Sequence, residues 1–361
     1  MLPRAVFQAV ASTCATVPAV SGPPLSLEAP TAVSLWDRLF LRRVRGRELP
    51  TFAEDVRSGL TSQPKVLYPK YFYDELGSHL FEAITALPEY YLTRAEAEIL
   101  RAHAGEIAAA LGGPVWAVEL GSGDGQKTKL LIEALLARQG KLEYVPVDIS
   151  ESAVETSSRS LLFSYPDLRI TAYIGDYHAS LRRIREERVG PGRTLVLFLG
   201  STVGNLDPEE RLALVRDVRG LLNPGEGFLL GVDLKKPESV LIPAYDDPLG
   251  VTAAFNLNLL ARINRELGGE FDLAAFRHRV LYNREAGRIE MHLESRRAQT
   301  VAIRDADIEA SFEAGETIHT ESSYKFDLDQ VAALAAETGF ELRRTWTDSE
   351  GRFASNLLVA E

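Results

Sequence analysis

Four short apolar runs alternate with segments of helical periodicity in the middle of this 361-residue chain. Apolar runs of this length without a period of two are typical of strands buried on both faces of a parallel sheet. Their alternation with helices predicts an α/β fold in which helices cover both faces of the sheet. The predicted strands are 115–120, 143–148, 169–174 and 194–199, and a fifth, 227–234, follows Pro224 and Gly225.

The segments before residue 115 are predicted to be mostly helical, because their apolar residues recur three and four positions apart. Thr93 and Glu96 stand at the spacing of a capping box, which predicts a helix start there. The basic stretch LFLRRVRGRE is interpreted as a solvated helix face. The predicted helices are SLWDRLFLRR (34–43), TFAEDVRSGL (51–60), YDELGSHLFEAITALPEYY (73–91) and TRAEAEILRAHAGEIAAAL (93–111).

The strand–helix alternation stops at residue 236. A long helix at about 249–266 precedes three strand-like runs, and a helix near 328–338 precedes two closing strands. A final antiparallel hairpin on a parallel sheet is the pattern of class I methyltransferases, which predicts a Rossmann-like sheet of seven strands and a second domain. The three strand-like runs are 279–285, 288–295 and 300–303, and the closing strands are FELRRTWTD (340–348) and ASNLLVAE (354–361).

Two domains and an N-terminal extension are expected from this pattern. Residues 34–92 plus 236–324 are predicted to form a substrate-binding domain. Residues 93–235 plus 325–361 are predicted to form the cofactor-binding domain. Residues 1–33 contain few charges and weakly resemble the apolar part of a signal peptide, but we expect a disordered extension.

A glycine-rich turn follows the first predicted strand in VWAVELGSGDGQKT (115–128). Its spacing matches neither the dinucleotide fingerprint G-x-G-x-x-G nor a P-loop. Glu119, two residues before Gly121, resembles motif I of methyltransferases that use S-adenosylmethionine (SAM). A carboxylate near the turn can meet the cationic amine of SAM, whereas a tight turn without a ligand is the alternative.

Composition excludes several other classes of function. A formal net charge of −11 disfavours nucleic acid or an anionic membrane as the main partner. The single Cys14 and six histidines without an H-x-x-x-H pair argue against a metal enzyme. No apolar run reaches the ~18 residues that a membrane-spanning helix needs. We therefore expect a cytoplasmic monomer that acts on a small molecule.

Six sequence blocks together resemble the L-histidine Nα-methyltransferase family of ergothioneine biosynthesis. The resemblance extends from about residue 40 to the C-terminus and includes the order and spacing of the blocks. It implies SAM-dependent trimethylation of the α-amino group of free histidine to give hercynine. The blocks are residues 71–100, VELGSGDGQKT (118–128), FLGSTVGNLDPEER (198–211), residues 244–267, RIEMHL (288–293) and TESSYKF (320–326).

The resemblance also implies a SAM site built on the carboxyl ends of the strands. Gly121 would line the turn and Lys127 would lie in the first helical turn. Asp148 would hold the ribose hydroxyls, since a carboxylate can accept two hydrogen bonds. Asp176 and Tyr177 would lie beside the adenine. Alternatively, Asp148 is a helix cap, Asp176 a loop acid and Lys127 an exposed lysine.

By the same resemblance, the two domains would share the histidine site. Asn205 and Tyr245 would hold the carboxylate and amine, while Glu321 and Ser323 would bind the imidazole from one face of a strand. Ser322 and Tyr324 depart from the family pattern and should point away from this wall. Three further residues complete the expected site: Tyr73, Tyr90 and Met291.

No strong base is needed in this reading, because an α-amino group with a pKa near ~8 is partly neutral at neutral pH. Positioning by Asn205 and Tyr73 would supply most of the rate acceleration. Three alternatives stay open: a methyltransferase for another free amino acid such as Trp or Tyr, a macromolecule methyltransferase, and a non-catalytic SAM-binding regulator.

Overall fold

Fourteen strands and ten helices make up the described part of the chain, residues 37–44, 50–123, 125–190 and 192–361 of a computed structural model. The strands are β1 Leu39–Arg43, β2 Lys65–Val66, β3 Val115–Leu120, β4 Leu142–Asp148, β5 Leu168–Ile174, β6 Arg193–Phe198, β7 Gly227–Asp233, β8 Phe276–Asn283, β9 Arg288–Ser295, β10 Gln299–Ile303, β11 Ile308–Phe312, β12 Thr317–Tyr324, β13 Phe340–Thr347 and β14 Phe353–Ala360. The helices are α1 Phe52–Thr61, α2 Glu75–Ala86, α3 Leu92–Ala109, α4 Thr128–Gln139, α5 Glu151–Ser164, α6 Tyr177–Glu187, α7 Pro208–Leu221, α8 Glu238–Leu241, α9 Val251–Leu267 and α10 Leu328–Glu337.

The large sheet has the strand order β1-β5-β4-β3-β6-β7-β14-β13. β14 is antiparallel to both β7 and β13, whereas the pairs from β1 to β7 are parallel. The predicted parallel strands and the closing antiparallel hairpin are therefore confirmed. The predicted extension, residues 1–33, lies outside the described residues.

The sheet has eight strands rather than the predicted seven, because β1 pairs in parallel with β5. The prediction of a helix over 34–43, and of a solvated helix face in its basic part, is wrong for Leu39–Arg43. The partly buried Leu39 and Leu41 both pack against the apolar core, and their spacing of two residues places them on one face of a strand. Arg38 anchors the strand by donating to the backbone oxygens of Leu162, Tyr165, Pro166 and Leu168.

Two apolar clusters cover the two faces of the large sheet. Alternate residues of β3 divide between them: Val115 and Ala117 enter one cluster, while Trp116 and Val118 enter the other. Every residue of β14 is buried. Burial on both faces explains why the central strands lack a period of two in sequence.

A second sheet, of order β2-β12-β9-β8, and the hairpin β10–β11 contribute to a third apolar cluster. Helices α1, α2 and α9 complete this cluster, in which the rings of Phe72 and Phe255 stack at 4.6 Å between centroids. Residues Leu35–Glu361 nevertheless form one compact unit by their contacts. The boundaries of the two predicted domains stay a prediction.

The predicted capping box at Thr93 and Glu96 is wrong. Helix α3 begins at Leu92, and its N-cap residue Tyr91 makes no side-chain cap. Glu96 is fully buried and its carboxylate serves a tertiary contact. The spacing matched a local rule, but the charge is used elsewhere in the fold.

A β-bulge in β12 determines which of its side chains face the apolar core. The pairing with β9 shifts between His319 and Glu321, leaving Thr320 as the extra residue. Glu321 and Ser323 consequently pair with the core residues Met291 and Ile289.

None of the helices in the described ranges has the length and apolar character required to cross a bilayer.

Candidate active site

The glycine turn after β3 uses positive φ angles and, at Gly121, leaves no room for a side chain. Gly121, Gly123 and Gly125 have φ values of +68°, +49° and +68°, a region that glycine adopts at little cost. A Cβ atom on Gly121 would lie 2.8 Å from the hydroxyl oxygen of Tyr177. Gly121 therefore lets the backbone of the turn and the Tyr177 side chain approach each other closely.

Glu119, the acid of the glycine motif, is hydrogen-bonded to protein groups through both carboxylate oxygens. Its Oε1 accepts a hydrogen bond of 2.6 Å from Thr128, and its Oε2 accepts one from Tyr144. The residue is 3% exposed, and burial raises the pKa of its carboxyl to about 7. Both oxygens are engaged inside the protein, so this carboxylate ties the turn to helix α4 and strand β4.

Asp148 ends strand β4 beside the glycine turn. Its carboxylate accepts from the backbone N–H groups of Ser150 at 3.0 Å and Gly123 at 3.4 Å. Burial raises its pKa. Helix α5 is capped by Ser150, whose Oγ accepts from Ala153, so Asp148 is not the N-cap.

Asp176 and Tyr177 follow strand β5, as predicted. Asp176 is the N-cap of helix α6, and its Oδ1 accepts from the N–H of Ala179 at 2.8 Å. The ring of Tyr177 stands edge-on to Phe198 at 5.8 Å. The carboxyl ends of β3, β4 and β5 thus gather the predicted cofactor residues at the edge where open α/β sheets bind ligands.

Lys127 forms an ion pair that the sequence did not indicate. Its Nζ lies 2.5 Å from Oε2 of the fully buried Glu96. The N–H of Gly200 donates to both carboxylate oxygens of Glu96 at 2.9 Å. Glu96 therefore connects the glycine turn with the segment after β6, which leads to Asn205.

Asn205 and Glu321 meet across the two sheets. Asn205 ends the 3-10 turn Thr202–Asn205, and its Nδ2 donates to Oε1 of Glu321 at 3.0 Å. Glu321 is 8% exposed, and burial raises the pKa of its carboxyl to about 7, although the charge of Lys325 opposes this rise. The site thus holds a carboxylate whose charge is poorly solvated.

Tyr245 and Ser323 form a second pair beside the first, with 2.8 Å between their hydroxyl oxygens. Lys325 donates to Tyr245 at 2.7 Å and to Ser323 at 2.8 Å, and lies 2.9 Å from Oδ2 of Asp233. Sequence reasoning missed Lys325 and Asp233. The i, i+2 spacing that relates Glu321 to Ser323 continues to Lys325, and this spacing could have identified the lysine.

Ser322 and Tyr324 point away from this wall, as expected. The Oγ of Ser322 lies 3.0 Å from Nε2 of His319. The Tyr324 hydroxyl accepts from Arg288 at 2.6 Å, and its ring contacts the guanidinium of Arg211.

The predicted aromatic residues surround the same cleft. The ring of Tyr90 stands edge-on to Tyr245 at 6.3 Å. Tyr73 packs edge-on against Phe81 and is 43% exposed. Surrounding protein, and next the charge of Glu321, raise the pKa of the Tyr73 hydroxyl.

Met291 lies opposite Glu321 in the second sheet. It is 2% exposed and belongs to the third apolar cluster. Its packing role is therefore established by the structure, and direct contact with a ligand stays a prediction.

The strand order, the antiparallel closing strand and the glycine turn between β3 and α4 define a class I SAM-dependent methyltransferase. Residues 52–360 match the family described as "Histidine-specific methyltransferase, SAM-dependent". The chain belongs to this family.

Two mycobacterial relatives carry the name "Histidine N-alpha-methyltransferase". The protein of Mycolicibacterium smegmatis is 45% identical over 305 residues, which cover 84% of this chain and 94% of the relative. The protein of Mycobacterium tuberculosis is 45% identical over 303 residues, which cover 84% and 93%.

One more distant relative shares only part of its length with this chain. "Ergothioneine biosynthesis protein 1" of Neurospora crassa is 30% identical, and the match covers 79% of this chain and 32% of the relative. Among solved structures, the CcbJ methyltransferase of Streptomyces caelestis has a TM-score of 0.41 and 17% identity, covering 77% of this chain and 98% of that one.

Proposed function

We propose that this chain transfers methyl groups from SAM to the α-amino group of free L-histidine, in three rounds that give hercynine on the route to ergothioneine. The observation that supports this most is the polar wall of Asn205, Glu321, Tyr245 and Ser323, which is built from both sheets around a buried carboxylate. The names of the mycobacterial and fungal relatives agree with it.

The residues at the glycine turn fit SAM, which supplies a methyl group made electrophilic by its sulfonium. Gly121 allows the turn to lie against the Tyr177 hydroxyl, with which a Cβ atom would collide. The Oγ of Ser122 is buried and has no hydrogen-bond partner among the described residues, so it is available to a ligand. We assign Asp148 to the ribose hydroxyls, Lys127 to the turn, and Asp176 with Tyr177 to the adenine side.

On the substrate side, we assign Asn205 and Tyr245 to the amino acid group and Glu321 with Ser323 to the imidazole. A carboxylate that accepts an imidazole N–H rejects an apolar ring, because that ring would leave the buried charge unpaired. Met291 supports Glu321 from the opposite strand. An indole N–H or a phenol O–H could also donate to Glu321, but the imidazole adds a second ring nitrogen for Ser323, which favours histidine over tryptophan or tyrosine as the amino acid.

The amine itself needs no dedicated base, since an α-amino group with a pKa near ~8 is partly neutral at pH 7. Tyr73 and Tyr90 border the cleft, and their ring faces attract a cationic ammonium as methyl groups accumulate. Alignment of amine and methyl group contributes several kcal/mol to catalysis, on the order expected for preorganised reactants.

Mass spectrometry after incubation of the protein with SAM and all twenty free amino acids tests the proposal. We expect histidine alone to gain three methyl groups. A dominant product from tryptophan or tyrosine would assign the chain to another substrate, and tight SAM binding without turnover would support a regulator.

We further propose a monomer that acts in the cytoplasm, where free histidine and SAM are available, with no nucleic acid as partner. Size-exclusion chromatography with light scattering tests the oligomeric state.

A further inference from the structure

A buried ion-pair network lies directly behind the hydroxyl pair of the substrate wall. Lys325 and Asp233 are 2% and 0% exposed, and Nζ and Oδ2 are 2.9 Å apart. Lys236 lies 2.5 Å from the other oxygen of Asp233, and the Tyr91 hydroxyl donates to the same carboxylate at 2.8 Å. The proposed reaction assigns no role to this network.

All three hydrogens of the Lys325 ammonium are used. Its neighbours within hydrogen-bond distance are Oδ2 of Asp233, the hydroxyl of Tyr245 and the hydroxyl of Ser323. An ammonium has three donors and no acceptor. Both hydroxyl oxygens must therefore accept a hydrogen bond from Lys325.

The mutual hydrogen bond between Tyr245 and Ser323 uses one more hydrogen. A phenol is a stronger acid than an alkyl hydroxyl, so Tyr245 is the better donor of the two. The Ser323 oxygen then accepts from both Tyr245 and Lys325, and its two lone pairs are occupied. Its own O–H is left to point toward a ligand, which makes Ser323 a donor and not an acceptor.

We propose that Lys325 is a positioning residue that sets substrate specificity: it makes Ser323 donate, so the imidazole is bound through a ring nitrogen that carries no proton. Glu321 faces the other ring nitrogen and accepts from its N–H. This inference rests on the proposed function, since it takes histidine as the substrate.

The balance of charge around the wall supports the same conclusion. Two carboxylates, Asp233 and Glu321, face two ammonium groups, Lys236 and Lys325. An imidazolium would add an uncompensated positive charge to a buried site, which is costly. The other titratable or charged groups in range are Tyr73, Tyr90, Tyr91, Asp348, Arg352 and the pair Glu96–Lys127.

Nitrogen NMR of bound histidine tests this inference directly. The full chain is saturated with S-adenosylhomocysteine and with histidine labelled with ¹⁵N in the ring, and spectra are recorded from pH 5 to 8. We expect one ring nitrogen to stay unprotonated at least one pH unit below the titration of the free ring, whose pKa is ~6.5.

Two variants distinguish the effect of Lys325 on the bound ring from the effect of its neighbouring charges. Lys325→Met should allow the bound ring to take a second proton, with a pKa at or above that of the free ring. Lys236→Met removes a cation from the same carboxylate without touching either hydroxyl, so it measures the effect of charge alone, and the pKa of the bound ring should rise less than in Lys325→Met. If Lys325→Met does not fold, Tyr245→Phe frees one lone pair of Ser323 and should act in the same direction.

The results distinguish a failure of the proposed function from a failure of the role proposed for Lys325. A wild-type protein that neither binds nor methylates histidine overturns the proposed function, and this inference with it. Binding of histidine with both ring nitrogens protonated at pH 6, or a Lys325→Met spectrum identical to that of the wild type, overturns only the role of Lys325.

Discussion

Asn205 donates a hydrogen bond of 3.0 Å to Glu321, and the two residues come from different sheets. Asn205 lies in the segment after β6 of the large sheet, whereas Glu321 lies in β12 of the second sheet. The bond closes the wall between the cofactor edge and the predicted substrate domain. Loss of either partner should therefore affect recognition of the side chain and the position of the amino acid together.

Replacement of Glu321 tests whether its carboxylate reads the imidazole. Glu321→Ala removes a charge-assisted hydrogen bond, which should reduce kcat/KM for histidine about 10- to 100-fold. Activity on tryptophan should rise relative to histidine, because the space admits a larger apolar ring. Steady-state kinetics on both amino acids decide this, with Glu290→Ala as control, since Glu290 pairs with Ser322 on the opposite face. An unchanged kcat/KM for histidine would contradict the assignment.

Glu321 should also make stability depend on pH. Burial raises its pKa from 4.5 to about 7 in the folded state, so folding is most favoured below pH 4.5, and this contribution is lost as the pH rises through 7. Glu321→Gln removes the cost of ionising this buried carboxyl. The difference in free energy of unfolding between the variant and the wild type should be up to about 3 kcal/mol larger at pH 8 than at pH 4. Urea unfolding at both pH values measures the difference.

Glu290→Gln is the matched control for that experiment. Although burial opposes it, hydrogen bonding to Arg288 lowers the pKa of Glu290, so its charge stabilises the fold above pH 4.5. The substitution should therefore lose stability as the pH rises, with the opposite sign to Glu321→Gln. Equal pH profiles for the two variants would show that Glu321 is not destabilised by its burial.

Asp148→Ala should weaken SAM binding, because ribose hydroxyls would be buried without partners. Asp148→Asn keeps one side-chain acceptor for the backbone N–H groups of Ser150 and Gly123 and should give an intermediate loss. Calorimetry with SAM measures both. Unchanged affinity in the alanine variant, with the fold intact by circular dichroism, would remove Asp148 from the cofactor site.

Variants of the Lys127–Glu96 ion pair distinguish a structural role of Lys127 from a role in SAM binding. Lys127→Met leaves the buried Glu96 carboxylate without its cation, which should cost about 3–5 kcal/mol of stability, and should lower SAM affinity. The double variant Lys127→Met with Glu96→Gln should regain most of the stability and none of the affinity. Recovery of SAM affinity in the double variant would show that Lys127 does not contact the cofactor.

The strands of the large sheet were predictable because a strand buried on both faces is a continuous apolar run. Strand β1 was not, because LFLRR is short and its pairing with β5 depends on residues far along the chain. The capping box at Thr93 failed for a related reason. Glu96 obeys a local spacing rule, but its carboxylate binds the backbone of Gly200.

Much of the candidate site was predicted through family resemblance, and the structure brings Asn205, Tyr245, Glu321 and Ser323 together. The residues behind them were not predicted. From sequence alone, a lysine that follows a strand is expected to be solvent-exposed. Only the fold shows that Lys325 forms an ion pair with the buried Asp233. Glu119 shows the reverse case, since its motif pointed to a ligand and its oxygens bind protein groups.

The position of β14 between β7 and β13 affects how the chain is made. During synthesis β7 is complete at Asp233, yet β14, its neighbour toward the edge of the sheet, begins only at Phe353. Until then β7 presents an unpaired apolar edge, a surface that invites association with other nascent chains. Three of the four residues of the substrate wall, Tyr245, Glu321 and Ser323, are translated in this interval. We therefore expect the nascent protein to depend on chaperones until the last strand inserts, and the cleft to form in that same late step.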